Sequence, residues 1–209
     1  MPKNASIINK FCYDIITERR RDNNADGRTD LLSRYIQMDQ DFSDIYLRNV
    51  MINLLLAGRD TTSQLLIWSL YMLSKNPEKE AKLAQEINST LNGELPNYDN
   101  TKSMPYLKAV LDETLRLWPP VPLDRKTAVQ DDVLPSGVKV KKGTILVWNL
   151  YAMGRMEEYW NRATEFLPER WLSEETKTKT EALFIPFMYG PRQCLGQKMV
   201  KITTQCVFH

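Results

Sequence analysis

Between Pro2 and Pro77 the chain has no proline, and from Asp41 or Ser43, either of which can cap a helix, to Ser74 it stays apolar. This spacing predicts one long helix, the longest of the chain, and makes the protein mainly α. It does not predict a membrane span. Its best apolar runs, 50–57 and 65–73, are separated by Arg59, Asp60 and Gln64, short of the roughly 18 apolar residues a span needs. With 43% hydrophobic and 10% aromatic residues against 26% charged, the 209 residues supply one sizeable core.

Shorter elements follow. Ile7, Ile8, Phe11, Ile15 and Ile16 recur at helical spacing, and Arg19, Arg20 and Arg21 read as a solvated helix end. A loop is expected over 23–28. Asn76 as cap, Pro77 in the first turn and Glu78 at the positive end open a helix that runs to Leu91. Ser103 can cap another, with Leu107, Val110, Leu111, Leu115 and Trp118 as its stripe and Pro119-Pro120 as its stop. Beyond the prolines the period changes: Leu134-Pro135-Ser136-Gly137, the alternating Val138 and Val140, the turn Lys141-Lys142-Gly143 and the run 144–148 read as a small β-hairpin. Residues 153–175 form a meander with short helical turns, 174–180 a solvated loop, and a last helix starts near Leu195.

Single-residue counts exclude whole chemistries. The only histidine is His209, so a Ser-His-Asp triad or an HExxH zinc site cannot form within this chain. The eight glycines include no pair at the spacing of a dinucleotide or triphosphate loop. Cys12, Cys194 and Cys206 form no CxxC pair and no even disulfide set. A net charge of +2 is too balanced for nucleic-acid binding. No export signal can be read in MPKNASIINK.

Local rules break in three places, each with two readings. Ala57-Gly58-Arg59-Asp60-Thr61-Thr62 puts a glycine, costing about 1 kcal/mol relative to alanine, in mid-helix beside two β-branched hydroxyls. It is either a close helix crossing or a ligand notch, with Asp60 and Thr61 as a proton-handling pair and Leu54, Gly58, Thr61, Leu65 and Trp68 on one face. Glu113 and Arg116 are i,i+3 neighbours; alone, such a pair is an exposed bridge worth about 0.3–0.5 kcal/mol. In Phe187-Met188-Tyr189-Gly190-Pro191-Arg192-Gln193-Cys194-Leu195-Gly196, a cysteine stands where a loop enters a helix. Gly190 permits a positive φ, Gly196 removes a side chain that would block a flat partner, and the helix start and Arg192 favour a negative sulfur. Cys194 is then an inert core residue, a redox nucleophile or a metal ligand, and the lack of a histidine base favours the ligand over the nucleophile.

Together these residues resemble the cytochrome P450 monooxygenases. Phe187-x-x-Gly190-x-Arg192-x-Cys194-x-Gly196 is similar to their haem-binding signature, Glu113-x-x-Arg116 to their ExxR helix, and Ala57-Gly58-x-Asp60-Thr61-Thr62 to their oxygen-activating helix. Phe166-x-Pro168-Glu169-Arg170-Trp171 resembles their meander motif, and the four stand in the family's order. The resemblance implies a partial cytochrome P450 fold: residues 1–209 as the C-terminal part of a single domain, truncated at both ends.

It also implies roles. Cys194 would be the axial thiolate on the iron of haem b. Phe187 would shield it, Gly190 and Gly196 shape its loop, and Arg192 pair with a haem propionate, with Lys126, or Arg125 beside it, as a second propionate partner. Glu113, Arg116 and Arg170 would form a buried structural network, and Asp60 and Thr61 would deliver protons. The implied function is a haem-dependent monooxygenase that uses O2, and electrons from a separate NADPH-cytochrome P450 reductase, to hydroxylate an apolar small molecule. Arg59, the segment 151–156 and Trp171 resemble the branch that acts on fatty acids and alkanes, with Leu54, Leu65, Val121 and Leu123 lining the pocket. The resemblance places the protein on the cytosolic face of the endoplasmic reticulum membrane, through an N-terminal anchor absent from this chain. Two rivals stand beside it: a non-catalytic fragment or incomplete gene product without a complete haem pocket, and a thiolate redox sensor at Cys194.

Overall fold

The computed structural model describes residues 3–21, 28–38, 41–97, 99–173 and 183–208. They divide into two compact units, Met1–Asp60 and Thr61–His209. Among the described residues no helix is long and apolar enough to cross a membrane.

The first unit holds α1 (Lys3–Arg21), α2 (Leu31–Gln37) and the start of α3 (Asp44–Ser74). Cys12 and Ile16, one turn apart on α1, are fully buried with Leu47, whereas Ile7, Ile8 and Phe11 of the expected stripe are exposed. The basic end of α1 is not simply solvated. Arg19 donates to Asp30 Oδ2 at 2.7 Å and to Ser33 Oγ, while Arg20 donates to Asp44 and to the Phe42 carbonyl. Asp30 caps α2 by accepting from Ser33 N at 3.0 Å, and this bond holds its carboxyl below the usual range. The loop expected over 23–28 falls, apart from Arg28, outside the described residues, and the one over 174–180 lies wholly outside them.

The second unit is built around α5 (Pro105–Leu117), in which every residue from Tyr106 to Leu117 except Lys108 is buried. Leu107, Val110, Leu111 and Leu115 join Leu65, Leu73, Leu83, Leu91 and Phe166 in one core. Leu65 therefore fills the core, not a substrate pocket, because α3 turns that residue inward. Trp118 stacks face to face on Trp68, with centroids 3.9 Å apart. α4 (Pro77–Leu91) has the expected bounds with Asn76 as its N-cap, but the Asn76 side chain makes no capping bond; its Nδ2 donates back to the Met72 carbonyl at 2.7 Å and closes α3. Ser103 does not cap α5 either. Glu86 reaches across from α4 and accepts from the amides of Tyr106 and Leu107 at 2.7 and 2.8 Å, so a charged cap replaces the local hydroxyl.

The expected hairpin is two antiparallel ribbons. β1 (Leu123–Thr127) pairs with β4 (Ile145–Asn149), Arg125 opposite Val147, and β2 (Asp132–Val133) pairs with β3 (Lys139–Val140). The 144–148 run thus finds its partner upstream, because Asp131 holds the Lys142 amide at 2.9 Å and the Lys141 ammonium, and the Gly143 amide bonds the Ala128 carbonyl. After α6 (Leu150–Met153) the meander holds a 3₁₀ turn over Pro168–Leu172, and a second turn, Gly190–Arg192, precedes α7 (Gln197–Val207).

Candidate functional site

Glu113 is 0% exposed and Arg116 2%, on a helix with no surface to give them, so their charges must be met inside the unit. They are. Arg116 donates from Nε and Nη2 to the two Glu113 oxygens at 2.8 Å each, a planar fork on a carboxylate. Its remaining N–H groups go to the carbonyls of Gly154, Ala163 at 2.7 Å and Glu165 at 3.0 Å, which satisfies all five donors. Glu113 also accepts from Leu167 N at 2.8 Å, Arg170 Nε at 3.0 Å and Trp171 Nε1 at 2.9 Å. Arg170 continues to the carbonyls of Asn161 and Arg162. The two helix residues thereby fix the path of the meander by its backbone, and the Trp160 ring lies 5.3 Å from the Arg116 guanidinium. A cavity of about 10 Å³ beside Arg116 and Gly154 holds at most one water.

Trp171, the last residue of the meander motif, and Gly154, whose local sequence carries no sign of this role, belong to the same arrangement. A Cβ at Gly154 would stand 2.1 Å from the Arg116 carbonyl oxygen, so only glycine lets the meander come this close. Glu169 ties the same turn outward. Burial works to raise its carboxyl, but hydrogen bonds from Lys82 and its own backbone, the Lys79 ammonium and the Tyr106 hydroxyl outweigh it and leave the group below its ordinary value.

The cysteine loop contrasts with this interior. Gly190 takes φ +79°, a conformation that favours glycine, and Met188 reaches φ +58°. The Cys194 amide donates to the Phe187 carbonyl at 2.8 Å, closing the loop, and Gln193 N bonds Gly190 O at 3.0 Å. α7 starts at Gln197, slightly later than the expected Leu195, with Gly196 as its cap. Cys194 is exposed, and so are Tyr189 at 80%, Leu195 at 93% and Met199 at 62%. Phe187 is half-buried and leans on the core, and Arg192 is exposed on its turn. A Cβ at Gly196 would lie 3.7 Å from Cys194 Sγ, so the glycine keeps one flank of the sulfur bare. A soft sulfur ligand, an exposed apolar rim, a bare flank and a nearby cation together fit a large flat apolar metal complex with acidic substituents, such as haem.

The structure brings together Glu113, Arg116 and Arg170, and, as one loop, Phe187, Gly190, Arg192, Cys194 and Gly196. Lys126 is half-exposed on β1 with its ammonium 3.5 Å from Asp124, and strand alternation turns it and Arg125 to opposite faces. Asp60 is a 69% exposed side chain on α3, 4.0 Å from Arg59, and Thr61 follows it on the same helix.

Comparison with known proteins adds independent findings. The family model for cytochrome P450 matches residues 1–209. Among curated proteins, cytochrome P450 94A1 of Vicia sativa is 39% identical over 92% of the chain, and alkane hydroxylase MAH1 of Arabidopsis thaliana 36% over 97%. These alignments cover 39% and 43% of the relatives, so the chain spans about two fifths of their length. A crystal structure of a cytochrome P450, CYP102L1, superposes with a TM-score of 0.87 at 26% identity over 96% of this chain and 47% of that one.

Proposed function

Since the chain belongs to the cytochrome P450 family and has part of its fold, we propose that the whole protein is a haem b monooxygenase that hydroxylates an apolar substrate, with Cys194 as the iron ligand. The observation that carries this reading is the Cys194 loop: an exposed sulfur between two glycines, closed onto the Phe187 carbonyl and rimmed by exposed apolar side chains. When bound, the haem supplies O2 activation and C–H oxidation. Cys194 Sγ holds it, Phe187 covers the sulfur's approach, and Arg192 offers charge to a propionate, with Lys126 as a second such cation. The Asp60 carboxylate and Thr61 hydroxyl, adjacent on α3, carry protons toward it. Glu113, Arg116 and Arg170 take no part in the chemistry and hold the meander in place.

The name of the Arabidopsis relative, an alkane hydroxylase, supports a fatty-acid or alkane substrate. A separate NADPH-dependent reductase as the electron source belongs to the same reading, by resemblance to the family. By the same reading the whole protein works at the endoplasmic reticulum membrane. The full-length protein, reduced under carbon monoxide, is expected to show the red-shifted Soret band of thiolate ligation and to lose it in Cys194→Ala. A band that survives the substitution removes Cys194 as ligand. The exposure of Cys194 also suits a redox sensor, and protein that takes up no haem yet loses a free thiol to peroxide would select that reading.

A further inference from the structure

Asp112 and Lys201 are charges that the proposed function leaves unused. Asp112 precedes Glu113 on α5, so it leaves the helix about 100° away from it and faces α7, whereas Glu113 faces the meander. Its side chain is only 3% exposed, yet its Oδ1 makes no hydrogen bond among the described residues. Two ammonium groups serve this carboxylate. Lys108, one turn back and 58% exposed, reaches Oδ2 at 2.8 Å from the surface. Lys201 on α7, 28% exposed, stands 3.5 Å from Oδ1. The same Lys201 ammonium lies 5.7 Å from the centroid of the Phe187 ring, within cation–π range. Phe187 in turn provides the carbonyl that accepts the Cys194 amide.

We propose that Lys201 is a positioning residue for the Cys194 ligand: held between the Asp112 carboxylate and the Phe187 ring, it fixes the residue whose carbonyl closes the cysteine loop. A neutral side chain of the same length fills the space but leaves a buried carboxylate oxygen facing no cation, and it drops the charge that holds the ring. The loop then closes less reproducibly, and the sulfur meets the iron more often as a neutral thiol. This inference rests on Cys194 being the haem ligand.

The test uses full-length protein with haem bound, compared at equal haem content by the carbon monoxide spectrum of the reduced state. The readout is the ratio of the red-shifted thiolate band to the blue-shifted thiol band. Lys201→Met is expected to lower it by about threefold or more, the scale of one partly buried ion pair, and Lys201→Arg to keep it near wild type. Asp112→Asn should give the same loss, and the double variant no more than either single change, since the two residues act as one unit. An unchanged ratio in Lys201→Met, or an equal loss in Lys201→Arg, overturns the proposal, the latter by making stem packing the cause. Where Lys201→Met binds too little haem to read, Asp112→Asn decides alone, and an unchanged ratio there overturns it. A wild type without the thiolate band overturns the proposed function, and this inference falls with it.

Discussion

Glu113 and Cys194 belong to the same unit and meet the solvent in opposite ways. The carboxylate is fully buried and takes five hydrogen bonds, three of them from residues more than fifty positions away in sequence. The thiol is exposed, its loop is held by backbone bonds of short span, and large apolar side chains stand out around it. One region has met its polar demands with protein atoms alone; the other leaves apolar surface and a thiol sulfur open. A folded chain normally covers its large apolar side chains and exposes its charges. On the proposed function, the inversion separates the part of the molecule that is scaffold from the part a cofactor would complete.

The contrast breaks most sharply at Arg116. Arg116→Ala leaves Glu113 buried with two of its five donors gone, and the expected loss of stability is about 3–5 kcal/mol, read as the urea midpoint of the full-length protein. A loss below about 1 kcal/mol would mean that the pair behaves as the exposed bridge its i,i+3 spacing suggests. Next in size is Gly154→Ala. The added methyl meets the Arg116 carbonyl oxygen, so the meander must shift, at a cost of about 1–3 kcal/mol. Lost haem with an unchanged midpoint would assign Gly154 to the ligand side of the comparison instead.

How much of each region was legible follows from how local its causes are. α3 and α4 can be read because absent or well-placed prolines act within one turn, and the cysteine loop because its glycines and cysteine are contiguous. The small β-hairpin is legible in its turn, since Leu134-Pro135-Ser136-Gly137 joins β2 to β3, but the partner of β4 is β1, whose Asp124, Arg125 and Lys126 hide its alternation. Trp171 is legible only as part of the meander motif, and the close approach at Gly154 gives no sign, because what constrains them lies on α5, 58 and 38 residues away. The burial of Glu113 and Arg116 came only from the family resemblance. Their local spacing fits an exposed pair equally well, and long-range donors decide the matter.

Two smaller effects sharpen the scaffold side. Glu86→Gln removes the charge that caps α5 from α4 and should cost about 1 kcal/mol, whereas Ser103→Ala should be neutral within about 0.5 kcal/mol. The reverse order would restore the local cap that the sequence suggests. Glu169 gives a pH signature. Its folded carboxyl lies below the ordinary 4.5, so its stabilisation is fully present above that value and fades as pH falls through the lower, folded one. The acid limb of stability should therefore be shallower in Glu169→Gln than in the wild type, by less than the Glu86 effect because the group is partly exposed. Parallel acid limbs would show that Glu169 is not held by Lys82 and Tyr106 in solution.

The smallest stability effect is expected at Gly196, where the comparison is tested from the ligand side. Its φ of −80° suits any residue, and an added Cβ would sit 3.7 Å from Cys194 Sγ, an ordinary contact distance. Alanine restricts the unfolded chain, which favours folding, but caps a helix less well than glycine, which opposes it. These terms nearly cancel, so Gly196→Ala should leave the midpoint of haem-free protein within about 0.5 kcal/mol of wild type. The methyl nevertheless covers the flank of the sulfur that the glycine keeps bare, and haem retention should fall. The two measurements thus part company at this position, whereas at Arg116 they fall together, since losing the scaffold also loses the loop it supports. A Gly196→Ala protein with full haem retention would show that the bare flank is not where the flat group lies, and a destabilised one that the loop is part of the scaffold after all.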